Sequence, residues 1–136
     1  MYETFEHTAD VGLRARAPDL NTLFGEAARA MFSVMAGDMD AVRPQEEITV
    51  LLGPDDLDAL LRDWLAELLY AFHTRKLLLA EFTVAMSEAG LRGTARGEPL
   101  DAARHKADVE VKAVTWHGLK VERTEDGWLA EVIVDI

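Results

Sequence analysis

An apolar stripe at helical spacing in the middle of the chain constrains the fold more than any other feature. Its members recur every three or four residues, which is the period of one helical face: Leu57, Leu60, Leu61, Trp64, Leu65, Leu68, Leu69 and Phe72. The helix is predicted to begin at residues 53–56 (GPDD), with Pro54 in its first turn and acidic residues near its positive end, while His73, Arg75 and Lys76 lie near its negative end. Because these charges complement the helix dipole, the pattern predicts a long amphipathic helix with one buried face.

A second stripe predicts another helix earlier in the chain. Pro18 and Asp19 provide a stop and an N-cap, and Gly37 ends the stripe. Its apolar members are Leu20, Leu23, Phe24, Ala27, Ala28, Met31, Phe32 and Met35. Apolar and polar residues alternate before and after it, over residues 11–17 and 48–52, which predicts one strand on each side.

The last part of the chain alternates with the period of strands. Extended segments are predicted near residues 82–86, 91–96, 109–116 and 128–136, with turns at 88–90 and 125–127. Two polar, proline-containing segments, 38–47 and 97–108, predict mobile connections. The order β-α-β-α followed by several strands indicates an α+β fold. We expect a two-layer sandwich in which two helices pack on one face of a mixed β-sheet.

Composition bounds the size and the setting of the protein. A chain of 136 residues, 49% of them hydrophobic, fits a single domain spanning 1–136. It has no cysteine, and its N-terminus lacks the basic and apolar regions of a secretory signal. No apolar run approaches the roughly 20 residues that span a bilayer. We therefore expect a cytoplasmic protein that does not enter the membrane.

The net charge limits the partners that such a chain can bind. At a formal charge of -11 the protein repels nucleic-acid phosphates and anionic lipids, so we expect no direct nucleic-acid or membrane binding. Basic proteins and cations are the complementary partners, although the same charge also serves solubility.

Known catalytic patterns for hydrolysis and nucleotide binding are absent from the sequence. The segment 53–56 lacks the glycine spacing and the lysine of a P-loop, and Ser33 and Ser87 do not lie in a nucleophile elbow. The carboxylates of the central helix fall mostly on a solvated face, with Glu67 kept as a candidate for contact with a cation or partner. We therefore predict no catalytic residue in this chain.

The best candidate residues lie at the two ends of the sequence. His7 and Asp10 are three residues apart just before a strand, a spacing that suits either a hydrogen-bonded turn or a pair of metal ligands. Asp135 and Ile136 close an apolar strand, Val132 to Ile136, that is predicted to be ordered. Such a strand would hold oxygen ligands of the kind that hard divalent cations prefer.

A lysine and a histidine bracket one further strand-like segment. Lys112 and His117 flank residues 113–116, which end in Trp116. Ordinary surface alternation is the more common cause of this pattern, and contact with an acidic patch of this protein or with a partner is the functional alternative.

Four segments in this order resemble the archease family over the whole length. They are His7-Thr8-Ala9-Asp10, residues 61–69 (LRDWLAELL), Lys112 to His117 (KAVTWH) and Val132 to Ile136 (VIVDI). The family often has asparagine where this chain has Ala66, and tyrosine where it has Trp116.

This resemblance implies a protein cofactor that is not itself an enzyme. Its expected partner is an RtcB-type RNA ligase of tRNA splicing or RNA repair, whose guanylation and repeated turnover it would promote. The resemblance also implies that Asp10, Asp135 and a main-chain oxygen of Ile136 bind a divalent metal ion. Calcium is the expected ion, with magnesium or manganese as alternatives, because all the ligands are oxygen atoms.

Two other functions stay open at the level of the sequence. An acidic protein without a nucleophile also suits a general chaperone or modulator of nucleic-acid-processing enzymes. A small metal-dependent hydrolase would instead use Asp10, Asp135 and His7 around a metal-bound water.

Overall fold

The computed structural model describes residues 1–7, 10–105 and 109–136, with only the main chain described at Glu6 and His7. These residues form two α-helices, α1 (Leu20–Ala36) and α2 (Leu57–Arg75), and a 3-10 turn at Met39–Ala41. The strands are β1 (Tyr2–His7), β2 (Asp10–Ala17), β3 (Glu46–Leu52), β4 (Leu77–Ser87), β5 (Gly90–Pro99), β6 (Ala113–Val114), β7 (Lys120–Thr124) and β8 (Gly127–Asp135). Neither helix combines the length and apolarity needed to cross a bilayer.

Both predicted helices are present, and their ends follow from local hydrogen bonding. The Asp19 carboxylate accepts a hydrogen bond from the N–H of Thr22 at 2.8 Å, and Asp56 does the same for Ala59 at 2.9 Å. Gly37, at φ 71°, ends α1. Pro54 lies before the N-cap Asp56, so it belongs to the preceding loop and not to the first turn of α2 as we predicted.

The α+β class is confirmed, but the prediction of one mixed sheet is wrong. Every strand pair among the described residues is antiparallel, in a five-stranded sheet (β1-β2-β8-β6, with β7 also paired to β8) and a three-stranded sheet (β3-β5-β4). The β2-α1-β3 segment joins the two sheets. The β3-α2-β4 segment returns to one sheet, but β5 lies between its strands and pairs antiparallel with both.

The helices also do not cover one face of a single sheet as predicted. Helix α1 contacts β2 of the five-stranded sheet and β4 of the three-stranded sheet, so it packs against both. At the centre, the buried indole of Trp64 donates a hydrogen bond from Nε1–H to the carbonyl of Phe24 at 3.0 Å. The Trp64 ring also meets Phe82 edge-on, with 6.4 Å between centroids.

The five-stranded sheet has one face in the core and one face turned outward. Leu13 and Ala15 of β2 are buried in the core, so their alternating neighbours, such as Gly12 and Arg14, point to the other face. The side chain of Phe5 covers Gly12 so closely that a Cβ there would lie 2.2 Å from the ring. Asp10 and Asp135 lie on this same outward face.

Candidate functional site

Two carboxylates from opposite ends of the chain face each other on the outward face of the five-stranded sheet. Strands β2 and β8 pair in a register that sets Asp10 directly opposite Asp135. Residues directly opposite in an antiparallel pair have Cβ atoms about 4.5–5.5 Å apart and share one face. The register therefore brings together the two residues that the sequence singled out.

The two carboxylates disturb each other electrostatically. A hydrogen bond with the Asp10 side chain raises the pKa of Asp135, and partial desolvation and the Asp10 charge raise it further, while the charge of Lys112 acts in the opposite direction. A raised pKa means that the doubly ionised pair is unfavourable in the fold. A bound cation would relieve this repulsion, and carboxylate oxygens are the ligands that hard divalent cations prefer. The donor set thus fits such an ion.

Strand β6 borders the carboxylate pair on the other side of β8. Ala113 pairs with Asp135, and the N–H of Lys112 donates to the Asp135 carbonyl at 2.8 Å. The hydroxyl of Thr115 donates to the carbonyl of Ile133 at 2.8 Å. These bonds fix Lys112 beside the pair, where its charge acts on Asp135. The predicted strand at 109–116 is reduced to two residues of regular pairing.

The remaining candidates are placed less closely. The main chain of His7 pairs with Asp10, but its side chain, with Thr8 and Ala9, lies outside the described residues. Ile136 follows Asp135 and is 40% exposed. His117 lies in the turn after β6 and Glu67 lies on α2, and both residues are exposed.

No group of three His, Cys, Asp or Glu side chains converges within the described part of the chain. A cation at the carboxylate pair would therefore need other oxygen atoms, such as main-chain carbonyls or water.

A row of ion pairs crosses the same outward face. Arg14 bridges Glu3 of β1, at 3.0 Å, and Glu131 of β8, at 2.7 Å, and Lys120 of β7 reaches Glu131 at 3.0 Å. Burial of Glu131 by itself would raise its pKa, but the hydrogen bonds from Lys120 and Arg14 outweigh burial and hold it below the usual value. The row ties four strands together on the same face as the carboxylate pair, four residues away from it along β2 and β8.

A groove between α2 and the segment 109–116 was not foreseen from the sequence. We call it the α2–β6 groove; its volume is about 210 Å³, and it is lined by Arg62, Ala66, Leu69, Tyr70, His73, Lys112, Ala113 and Val114. Residues 62, 66, 70 and 73 follow helical spacing, a signal that marks one face of α2 but does not say what that face meets.

Two contacts hold the walls of the groove together. Because the carbonyl of Val111 can only accept, the His73 ring donates from Nε2–H to it at 2.9 Å. The guanidinium of Arg62 lies over the ring of Trp116, 5.3 Å from its centroid, and also pairs with Asp63 at 3.4 Å. Trp116 thus packs against Arg62, one of the residues that line the groove.

Comparisons with known proteins agree along the whole chain. A model of the Archease protein family matches residues 2–136. "Protein archease" of Methanopyrus kandleri is 43% identical over 139 residues, covering 99% of both chains. That of Methanosarcina mazei is 39% identical, covering 99% of this chain and 95% of the relative.

Two solved structures have a similar fold. The solution structure of Methanobacterium thermoautotrophicum protein 1598 is 37% identical, covers 99% of this chain and 98% of its own, and has a TM-score of 0.82. The crystal structure from Thermotoga maritima, described as "an archease, possible chaperone", is 19% identical with a TM-score of 0.66, and covers 100% and 98% of the two chains. At that identity the second structure supports the fold alone.

Proposed function

The chain belongs to the archease family, and from this premise we propose that it activates an RtcB-type RNA ligase by promoting guanylation of the ligase and its repeated turnover. This activity would serve tRNA splicing or RNA repair. The observation that carries the proposal is the direct opposition of Asp10 and Asp135 across β2 and β8. The raised pKa of Asp135 gives that pair a reason to attract a cation.

Asp10, Asp135 and a main-chain oxygen of Ile136 would hold the divalent cation, with calcium as the first candidate and magnesium or manganese as alternatives. When bound, the cation would supply positive charge next to the two carboxylates, where phosphate oxygens could approach. Lys112, held beside Asp135 by its main-chain hydrogen bond, would contribute a second positive charge at the same place.

The ligase, and not this chain, would supply the nucleophile. The sequence contains no cysteine and none of the nucleophile motifs considered above, which agrees with the role of a protein cofactor. A net charge of -11 also suits docking to an enzyme whose surface is basic because it binds RNA. The chain's own carboxylates would then orient groups at the ligase active site.

A ligase assay with purified proteins tests this proposal. We expect Asp10→Asn and Asp135→Asn to abolish the stimulation of guanylation over many turnovers, because each removes one of the two facing charges. The matched control is Asp126→Asn, an exposed carboxylate at the other end of β8. It should stimulate like the wild type.

Cation binding is measured in the same variants by thermal shift. Calcium, magnesium or manganese should raise the melting temperature of the wild-type chain and of Asp126→Asn, with no rise in Asp10→Asn. A folded Asp10→Asn chain that keeps full stimulation and the full cation shift would contradict the assignment of the site.

A general chaperone or modulator of nucleic-acid-processing enzymes is the second candidate, because the chain is acidic and contains no cysteine or nucleophile elbow. One experiment distinguishes the chaperone from the ligase activator. A chaperone would protect several unrelated enzymes from aggregation and would do so equally well with Asp10→Asn, whereas the ligase activator would not.

A further inference from the structure

The last residues of β8 are held from both sides. Strand β2 pairs with β8 as far as Asp135, and the segment 112–115 lies along the other side. This segment attaches to β8 at two main-chain oxygens. The N–H of Lys112 donates to the Asp135 carbonyl at 2.8 Å, and Thr115 donates to the carbonyl of Ile133. We call these two attachments the β8 clamp.

Thr115 makes the more extensive attachment of the clamp, because it donates twice to one oxygen. Its N–H and its hydroxyl lie 3.0 Å and 2.8 Å from the carbonyl oxygen of Ile133, which uses both lone pairs of that oxygen. The hydroxyl also accepts from the N–H of His117 at 3.2 Å. Regular pairing of β6 with β8 ends at Val114, so the hydroxyl supports β8 at the point where the ladder stops.

The direction of the clamp also fixes how close the two carboxylates lie. In an extended strand the N–H and C=O of one residue point to the same side. The bond from Lys112 therefore directs the main-chain groups of Asp135 toward β6 and away from β2. Asp10 and Asp135 thus form a pair without main-chain hydrogen bonds, in which the Cα atoms are about 4.5 Å apart instead of about 5.5 Å. The hydrogen bond between their side chains agrees with this short spacing.

We propose that Thr115 is a positioning residue for the cation site, because its hydroxyl holds the end of β8 and keeps Asp135 within reach of a cation shared with Asp10. This inference rests on the proposed function, which assigns the cation to the two carboxylates. It goes further by naming a residue that acts through the main chain of β8 and not as a ligand, since its hydroxyl is engaged with Ile133 and His117.

Order at the end of β8 matters because few side chains are available to the cation. No third acidic or histidine side chain joins the pair within the described part of the chain, so the affinity depends on the spacing of two carboxylates and on main-chain oxygen. A loose end of β8 would have to be ordered by the cation itself, and the lost conformational entropy would lower the affinity. A strand that is already held avoids this loss.

Titration of matched variants with the cation alone tests this role. Thr115→Val keeps the size and branching of the side chain and removes the hydroxyl, so we expect calcium and manganese to bind about three- to tenfold more weakly in calorimetric titrations. Thr115→Ser keeps the hydroxyl and should bind within about twofold of the wild type. Thr83→Val, exposed on β4 of the other sheet, is the control and should bind like the wild type.

Urea unfolding of each variant separates positioning from general stability. A chain that is fully folded in the titration buffer has an unchanged affinity unless the site itself has changed, so a merely structural role would lower the unfolding midpoint and leave the affinity as it was.

Three outcomes would overturn the inference. A folded Thr115→Val chain that binds both ions like the wild type would remove the positioning role and leave the cation site standing. Thr115→Ser binding as weakly as Thr115→Val would show that the hydroxyl does not determine the affinity. A wild-type chain that binds neither ion would overturn the cation site of the proposed function together with the role of Thr115.

Discussion

At the scale of single residues, Glu98 is a buried carboxylate outside the candidate site that depends on its hydrogen-bond partners. Glu98 is 5% exposed and accepts hydrogen bonds from the N–H of Arg43, at 2.6 Å, and from Arg104. The N–H of Asp101 donates to Nδ1 of His105, so Nε2 carries the hydrogen and donates to Glu98 at 3.2 Å. The segment around 97–108, which we predicted to be a mobile connection, is thus anchored as far as residue 105.

Glu98→Gln tests this cluster through its dependence on pH. Burial alone would raise the pKa of Glu98, but the bonds from Arg43, His105 and Arg104 outweigh it, so the pKa lies below its usual value. A carboxyl group with a lowered pKa stabilises the fold above about pH 4.3 and loses that contribution as the pH falls through its folded value. We expect the variant to lose about 1–3 kcal/mol in urea unfolding at pH 7.

The difference between the variant and the wild type should be smaller at about pH 3 than at pH 7, because below about pH 4.3 the unfolded chain takes up the proton and the ionised Glu98 of the fold progressively loses its advantage. Glu125→Gln, in the exposed β7–β8 turn, is the control and should unfold like the wild type at both pH values. A Glu98→Gln chain as stable as the wild type at pH 7 would argue against a stabilising role for the cluster.

At the scale of elements, the packing of α2 on the three-stranded sheet depends on a missing side chain. A Cβ at Gly93 of β5 would lie 2.3 Å from Cζ3 of Trp64, whose ring is fully buried. Gly93→Ala should therefore destabilise the protein by about 1–3 kcal/mol through overpacking. The measurement is chemical unfolding followed by circular dichroism.

Gly25→Ala provides the matched control in α1. A Cβ there would meet the Phe82 carbonyl at 3.7 Å, an ordinary contact, and alanine favours a helix over glycine by roughly 0.5–1 kcal/mol. Gly25→Ala should therefore stabilise the fold slightly. Equal effects from the two substitutions would mean that the fit of Trp64 over Gly93 does not limit packing.

What the sequence could predict at this scale was set by local periodicity. The stripes and caps of α1 and α2 gave both helices, and the 125–127 signal gave the β7–β8 turn, because the physical cause of each lies within a few residues. The sheet arrangement was wrong because local pattern does not reveal that β5 inserts between β3 and β4. Strand β1 was not foreseen, since its residues pair only after folding back on β2.

The candidate site was also predictable only in part, because local sequence does not show which distant residues meet. Asp10 and Asp135 could be singled out in sequence as polar residues at strand ends, but only the β2–β8 register makes them opposite neighbours. The α2–β6 groove escaped prediction because its walls, α2 and the segment 109–116, are distant in sequence and only a two-residue strand marks the meeting point.

At the scale of the whole molecule, charge and apolar contact should control different steps of partner binding. A net charge of -11 acts over distances up to the Debye length and accelerates encounter with a basic surface, whereas large exposed apolar side chains such as Tyr70 and Trp116 can act only after contact. Electrostatic steering changes the association rate, whereas loss of an apolar contact mainly changes the dissociation rate.

Stopped-flow or surface-based kinetics with the ligase should resolve this division. Raising salt from about 50 to about 500 mM should slow association of the wild-type chain about tenfold, because the Debye length shortens from roughly 14 to 4 Å. Trp116→Ala should dissociate at least about tenfold faster at either salt concentration while its association rate keeps the same salt dependence. A variant whose loss of affinity lies entirely in the association rate would mean that Trp116 affects encounter and not the contact itself, and the whole molecule would then be recognised by its charge alone.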